Sequence, residues 1–184
     1  MTIENIRHEL KLMPNAALAN RKRTCQNIAN HPNGLKYLIQ LTFEVDDKLS
    51  IRAAWILEII LKDNLYSITT FLDTFCKTIK LLKFDSSKRP CAKICELIAI
   101  DYDQNKRMKS LLTSEQKELL ISCCFDWMIS DEKLAVQAYS MMVLFIFGKE
   151  ESWIHSELKS ILIEQMGTKS PGYKSRGLKL IKLM

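Results

Sequence analysis

The stretch Asp46-Asp47-Lys48-Leu49-Ser50-Ile51-Arg52-Ala53-Ala54-Trp55-Ile56-Leu57-Glu58-Ile59-Ile60 decides the fold. Acidic residues able to cap a helix precede Arg52-Ala53-Ala54, where short side chains let another helix come close. An aliphatic run then supplies a face to bury. Echoes of the small-residue centre recur along the chain. Taking Ala53, Ala92, Ala138 and Gly177 as equivalent gives intervals of 92 − 53 = 39, 138 − 92 = 46 and 177 − 138 = 39 residues. Between the first and third copies the match extends to Asp46/Asp131, Lys48/Lys133, Leu49/Leu134 and Ile51/Val136; the first and fourth share Arg52/Arg176.

Upstream, residues 3–12 fit a short helix that stops before Met13-Pro14, because the residue before a proline avoids helical dihedrals. A helix over 16–30 follows, then the turn His31-Pro32-Asn33-Gly34, then an amphipathic helix carried by Leu35, Leu38, Ile39, Thr42 and Phe43. Downstream, Asp63-Asn64 breaks the organising helix, and Phe71, Phe75, Ile79 and Leu82 place apolar groups along one face of the next. Asp85-Ser86-Ser87 offers caps for a helix that tolerates Pro90 in its first turn. The polar run over 101–110 reads as a long exposed loop. Thr113 and Gln116 have capping-box spacing for a helix through Trp127. Ser130-Asp131 is expected to cap a helix over 132–147 that Gly148 stops. Helices over 153–166 and 173–183 complete the set, the last with Ser170 as cap and Pro171 as first helical residue.

Helix pairs recurring every 39 to 46 residues have the period of HEAT and armadillo repeats. The expected fold is therefore all-α, a HEAT/armadillo-like α-α superhelix, or solenoid, of about five helix pairs. Each pair must stack on its neighbours to bury its apolar face. With 184 residues, 47% of them hydrophobic, and only five Gly and four Pro, the chain suits one helical domain spanning 1–184.

Several segments carry a closer likeness: Val45-Asp46-Asp47-Lys48, Arg52-Ala53-Ala54-Trp55, Leu72-Asp73-Thr74-Phe75, Arg89-Pro90 with Ala92-Lys93-Ile94-Cys95-Glu96, Phe125-Asp126-Trp127, Ala138-Tyr139-Ser140-Met141 and Trp153-Ile154-His155. They resemble a family of small bacterial HEAT-like proteins often labelled adenylosuccinate lyase. Such lyases use a general acid and base in a long helical bundle, with a mobile SSxMPxKxN loop. Here Ser86-Ser87-Lys88-Arg89-Pro90 lacks the methionine, and the following lysine and asparagine do not align. His8, His31 and His155 lie far apart in the sequence, so no acid and base pair is evident. The resemblance supports the fold more than the activity, and no catalytic residue is assigned.

Common hydrolase, dinucleotide and nucleotide-triphosphate motifs are missing, and so is any metal-spaced Cys/His set, so neither metal nor cofactor is expected. Six cysteines without a CxxC read as buried reduced thiols. The N-terminal residues lack a secretory apolar core, and the run from Ala138 to Phe147 is about half the length that crosses a bilayer. The expectation is a cytoplasmic protein with no membrane contact, its oligomeric state left open.

What remains is surface. The net charge of +6 is uneven: Arg21-Lys22-Arg23 stand without an acid nearby, residues 111–166 sum to −5 and residues 167–184 to +5. The second helix of each repeat is expected to line a concave face carrying Arg52, Trp55, Arg89, Lys93, Tyr139 and Arg176. Cations with aromatics suit an acidic protein or peptide, bound by a non-enzymatic scaffold. The alternative is nucleic-acid binding in the manner of HEAT-like DNA alkylation-repair proteins, although Asp46, Asp47, Glu58 and Glu96 interrupt the charge.

Overall fold

Thr2 caps the first helix: its hydroxyl accepts from the Asn5 amide while Asn5 reaches back to the Thr2 amide. From there the computed structural model describes residues 2–184 as eleven α-helices and two 3-10 segments, with no strand among the described residues. Two compact units emerge, one ending at Ile94 and the other running from Cys95 to Met184.

The first unit holds α1 (Ile3–Leu12), α2 (Leu18–Ala29), α3 (Gly34–Thr42), α4 (Leu49–Asp63), α5 (Leu72–Thr78) and the start of α6 (Asp85–Gln104). Helix α4 is its centre, packed on α3 and α2, with Ala53, Ala54, Ile56, Leu57 and Leu61 fully buried. The Asp47 carboxylate accepts from the Leu49 amide at 2.8 Å, so the acid before Arg-Ala-Ala does hold the helix start, although Lys48 occupies the cap position. At the α2–α3 turn a Cβ on Gly34 would stand 2.2 Å from the Ile28 carbonyl oxygen, so only glycine lets the two helices meet there.

Two side chains of α4 tie it to other helix ends. Arg52 Nη1 donates to the carbonyls of Leu10, Lys11 and Met13 at 2.8, 3.1 and 2.8 Å, satisfying acceptors that the end of α1 leaves without partners. Pro90 is the sixth residue of α6, past the first turn where it was expected, and its missing N–H deprives the Ser86 carbonyl of a helical donor. The Trp55 indole N–H donates to that carbonyl at 3.1 Å. The helix keeps its proline because α4 supplies the lost bond.

Between α4 and α6 the sequence suggests one helix and the structure breaks it into three: a 3-10 turn (Leu65–Phe71), α5, and a second 3-10 turn (Ile79–Leu81). Threonine hydroxyls here bond back to the chain, Thr69 to the Tyr66 carbonyl and Thr78 to the Thr74 carbonyl, which competes with regular helix. The apolar pattern survives, with Phe75, Ile79 and Leu82 buried and Phe75 edge-on to Phe43 at 5.9 Å.

The second unit continues α6 and adds α7 (Arg107–Leu111), α8 (Ser114–Ile129), α9 (Leu134–Phe147), α10 (Ser152–Gln165) and α11 (Pro171–Ile181). Helix α9 is buried against α8, α10 and α11. Thr113 with Gln116 forms the anticipated capping box, and Ser170 caps α11 with Pro171 at its first position.

Two expectations fail in this unit. The run over 101–110 is not an exposed loop: Asp101 and Tyr102 are buried, α6 reaches Gln104, and Lys106 turns the chain in a left-handed conformation at φ 59°. The Asp101 carboxylate accepts from the Met108 amide at 2.9 Å and so fastens the next short helix. Likewise Ser130-Asp131 does not cap α9, which starts only at Leu134; the Ser130 hydroxyl donates to the Asp126 carbonyl and serves the end of α8. The equivalence of small residues also holds only in part. Ala53, Ala92 and Gly177 are buried, whereas Ala138 is half-buried and Ser140 is the small residue that α9 encloses.

Candidate functional site

Charge divides between the units as unevenly as the sequence suggests, along a different line. Residues 1–94 contain fifteen lysines and arginines against nine carboxylates, which accounts for the full +6; residues 95–184 contain twelve of each. Long-range attraction for an anion therefore originates in the first unit.

That unit carries a groove beside α2 and the second half of α4. Two cavities of about 690 and 370 Å³ adjoin there, sharing Lys22, Ile59 and Asp63 in their walls. The smaller is edged by Arg21, Lys22, Lys62 and Arg89. Its floor holds Glu58, whose side chain is 3% exposed and accepts from Lys62 Nζ at 2.5 Å and Arg89 Nη1 at 3.3 Å. Both cations remain half in water, at 45% exposure each, so the buried carboxylate orients them and leaves donors to spare. The Arg21 guanidinium sits 5.9 Å from the centre of the Trp55 ring, and its Nε is buried with no hydrogen-bond partner among the described residues. The larger cavity continues the path past Cys25, His31, Asn64 and Ser67.

Of the six residues singled out from sequence, four fall in the first unit. Arg89 edges the groove and Trp55 backs Arg21. Arg52 spends its guanidinium on α1 carbonyls. Lys93 is half-buried on α6. The other two belong to the second unit, where Tyr139 is half-buried on α9 and Arg176 Nη2 donates at 3.0 Å to Glu96, whose side chain is 5% exposed. Arg176 also edges a cavity of about 640 Å³ with Lys179, Phe145 and Leu183.

Sequence reading left Arg21, Lys22 and Lys62 out of the site and treated Glu58 and Glu96 as interruptions of charge. The signal was present: the two glutamates are 96 − 58 = 38 residues apart, close to one repeat period, and Lys62 lies four residues after Glu58. Glu58 and Glu96 are both buried and each holds an arginine, Arg89 and Arg176 respectively.

The second unit has its own ionic cluster around Glu150, which accepts from the Tyr102 hydroxyl at 2.7 Å and from Lys109 and Lys117. These bonds, Lys109 first, pull the Glu150 carboxyl down to about 2. Lys117 also pairs with Glu151 at 2.6 Å and lowers its pKa.

Two other chemistry-bearing side chains are engaged structurally. His155 Nε2 lies 2.7 Å from the Phe145 carbonyl oxygen and its ring stacks on Phe145. Ser87, in the stretch compared with the lyase loop, is buried in the first turn of α6 and bonds to the Phe84 carbonyl. All six cysteines are buried and free, and burial raises the Cys76 and Cys124 thiols to about 12. Among the described residues there is no group of three metal-ligating side chains and no helix long and apolar enough to cross a membrane.

Against known proteins, the family model described as a HEAT repeat domain matches residues 9–182. Comparison with curated proteins and with solved structures gives no significant match.

Proposed function

Because the chain belongs to the HEAT repeat family, we propose that it works as a non-enzymatic interaction scaffold whose partner is an acidic protein segment. The observation that supports this reading is the groove edged by Arg21, Lys22, Lys62 and Arg89 on the unit that holds the entire net charge. A segment bearing glutamates or aspartates would lay its carboxylates on the free guanidinium and ammonium donors, while Trp55, Ile59 and Leu18 take apolar contacts. Arg89 and Trp55 keep their place in this surface. Lys93, Tyr139 and Arg176 do not line the groove and drop out of this surface, and Arg52 acts by holding α1 in position. The six free thiols fit action in the reducing cytoplasm.

Fluorescence anisotropy with a labelled glutamate-rich peptide tests the reading. Affinity should fall as salt rises from 50 to about 300 mM, because screening shortens to well under 10 Å over that range. Arg21→Ala with Lys22→Ala should weaken binding roughly tenfold at low salt, which corresponds to the loss of two charge-assisted contacts. Unchanged affinity in that variant, with unchanged melting, would refute the groove. Tight duplex-DNA binding with a steep salt slope, and no peptide binding, would favour the nucleic-acid alternative.

A further inference from the structure

The second unit carries a recess of opposite character at the α8–α10 junction. Trp153 opens α10 with 54% of its surface exposed, although an indole buries well when a core is at hand. It stacks on Phe125 of α8, ring centres 5.8 Å apart and planes inclined by 27°. Its N–H donates to Glu151 at 3.1 Å, which fixes the ring's orientation. Next to the stacked pair is a cavity of about 290 Å³, floored by Ile121 and edged by Glu118, Asp126 and Glu151. Glu118, Ile121, Ser122, Phe125 and Asp126 recur at three- and four-residue spacing, so they share one face of α8.

The charge of this recess has an unusual distribution. Glu151 is already engaged by Lys117. Glu118 and Asp126 are exposed and form no ion pair among the described residues, yet they flank the aromatic pair on both sides along the helix. The electron-rich faces of two aromatic rings and two uncompensated carboxylates both attract a cation, and a planar guanidinium meets both demands at once, stacking on the indole and bonding to a carboxylate through its fork. The apolar walls would take the methylene stem.

We propose that this recess is a docking site for an arginine side chain presented by a basic segment of another protein. The site is independent of the acidic-partner groove, sits on the other unit and selects the opposite charge. Together they would let one scaffold hold an acidic and a basic partner.

The test uses ¹⁵N-labelled full-length protein and a short peptide with one central arginine and no acidic residue, alongside peptides carrying lysine or the neutral isostere citrulline in its place. The arginine peptide should shift the Trp153 indole N–H signal saturably, leave the signals of Trp55 and Trp127 in place, bind more weakly as lysine and lose binding as citrulline. Glu118→Gln with Asp126→Asn should weaken binding roughly three- to tenfold, since exposed charge pairs each contribute modestly. Trp153→Ala should abolish it, and the gentler Trp153→Phe, which retains a ring, should restore part of the affinity and show that the fold survives. Equal binding of the citrulline peptide, or undiminished binding by the Gln/Asn variant, would overturn the proposal. So would a Trp153 shift that grows with protein concentration alone, which would assign the recess to a second copy of this chain.

Discussion

The groove of the first unit and the recess of the second handle charge in opposite ways. The first buries its carboxylate: Glu58 sits on the floor of a groove, invisible to solvent, while Lys62 and Arg89 project from it into water. The second encloses a cation: Lys117 is 13% exposed between Glu150, Glu151 and the rings of Tyr102 and Phe147, while Glu118 and Asp126 stay outside. The same fold class therefore presents a cationic groove at one place and an anionic recess at the other, according to which member of the local ion pair is enclosed. Net charge alone, +6 against zero, would have identified the first surface and hidden the second.

The comparison is most strongly tested through the close approaches that build each unit. Gly34→Ala pushes a methyl group against the Ile28 carbonyl, which is backbone and cannot swing away, so it should destabilise the first unit by about 3 kcal/mol. Gly148→Ala meets the His155 ring first, a side chain that can rotate out at the loss of its bond to Phe145; about 1 kcal/mol is expected. Urea denaturation monitored by circular dichroism should rank the two in that order, and the reverse order would mean that the α2–α3 turn is not the tight joint described here.

Between those two in size is Arg52→Ala, which strips three carbonyls at the end of α1 of a charged donor and should cost about 2 kcal/mol. Hydrogen exchange at residues 3–12 should accelerate while that of α9 stays unchanged. A variant that lost acidic-peptide affinity with α1 intact would instead make Arg52 a contact residue.

Acid should weaken the second unit through Glu150. Its carboxyl is held at about 2 when folded and lies near 4.5 when unfolded, so its contribution is present above about 4.5 and disappears as the pH falls toward 2. Glu150→Gln should flatten that part of the stability-against-pH curve, as measured by thermal melting in a buffer series from pH 6 to 2.5. An unaltered curve would show that the Tyr102–Lys109–Lys117 cluster does not depend on the charge. The smallest effect is chemical: with the Cys76 and Cys124 thiols raised to about 12, native protein at pH 7.5 should react with a thiol-specific disulfide reagent slowly at every position, and at all six only after unfolding.

Much of this architecture was legible in the chain. The α1 stop before Met13-Pro14, the Thr113/Gln116 box and the Ser170-Pro171 start depend on local chemistry, and local chemistry is what a sequence displays. The misreadings have a common cause. Asp101, Ser130 and Pro90 were judged by residue type, but each is governed by a partner elsewhere: Met108 for Asp101, the end of α8 for Ser130, Trp55 for the carbonyl that Pro90 leaves open. The candidate site was legible for Arg89 and Trp55, because they stand in the organising repeats. Arg21 and Lys22 belong to α2, whose weakly apolar sequence gave no reason to set it beside α4, and the recess at Trp153 needs two helices whose proximity no spacing reports.

The central claim is that an acidic partner is met by the groove of the first unit. It is tested most directly by mapping amide shifts of the ¹⁵N-labelled protein on addition of a glutamate-rich peptide at about 50 mM salt, where screening is weak. The account predicts saturable shifts confined to residues 18–35, 55–67 and 86–90, with the amides of α8 and α10 unmoved. Shifts centred on α8, α9 or α11, or none at any concentration, would contradict it.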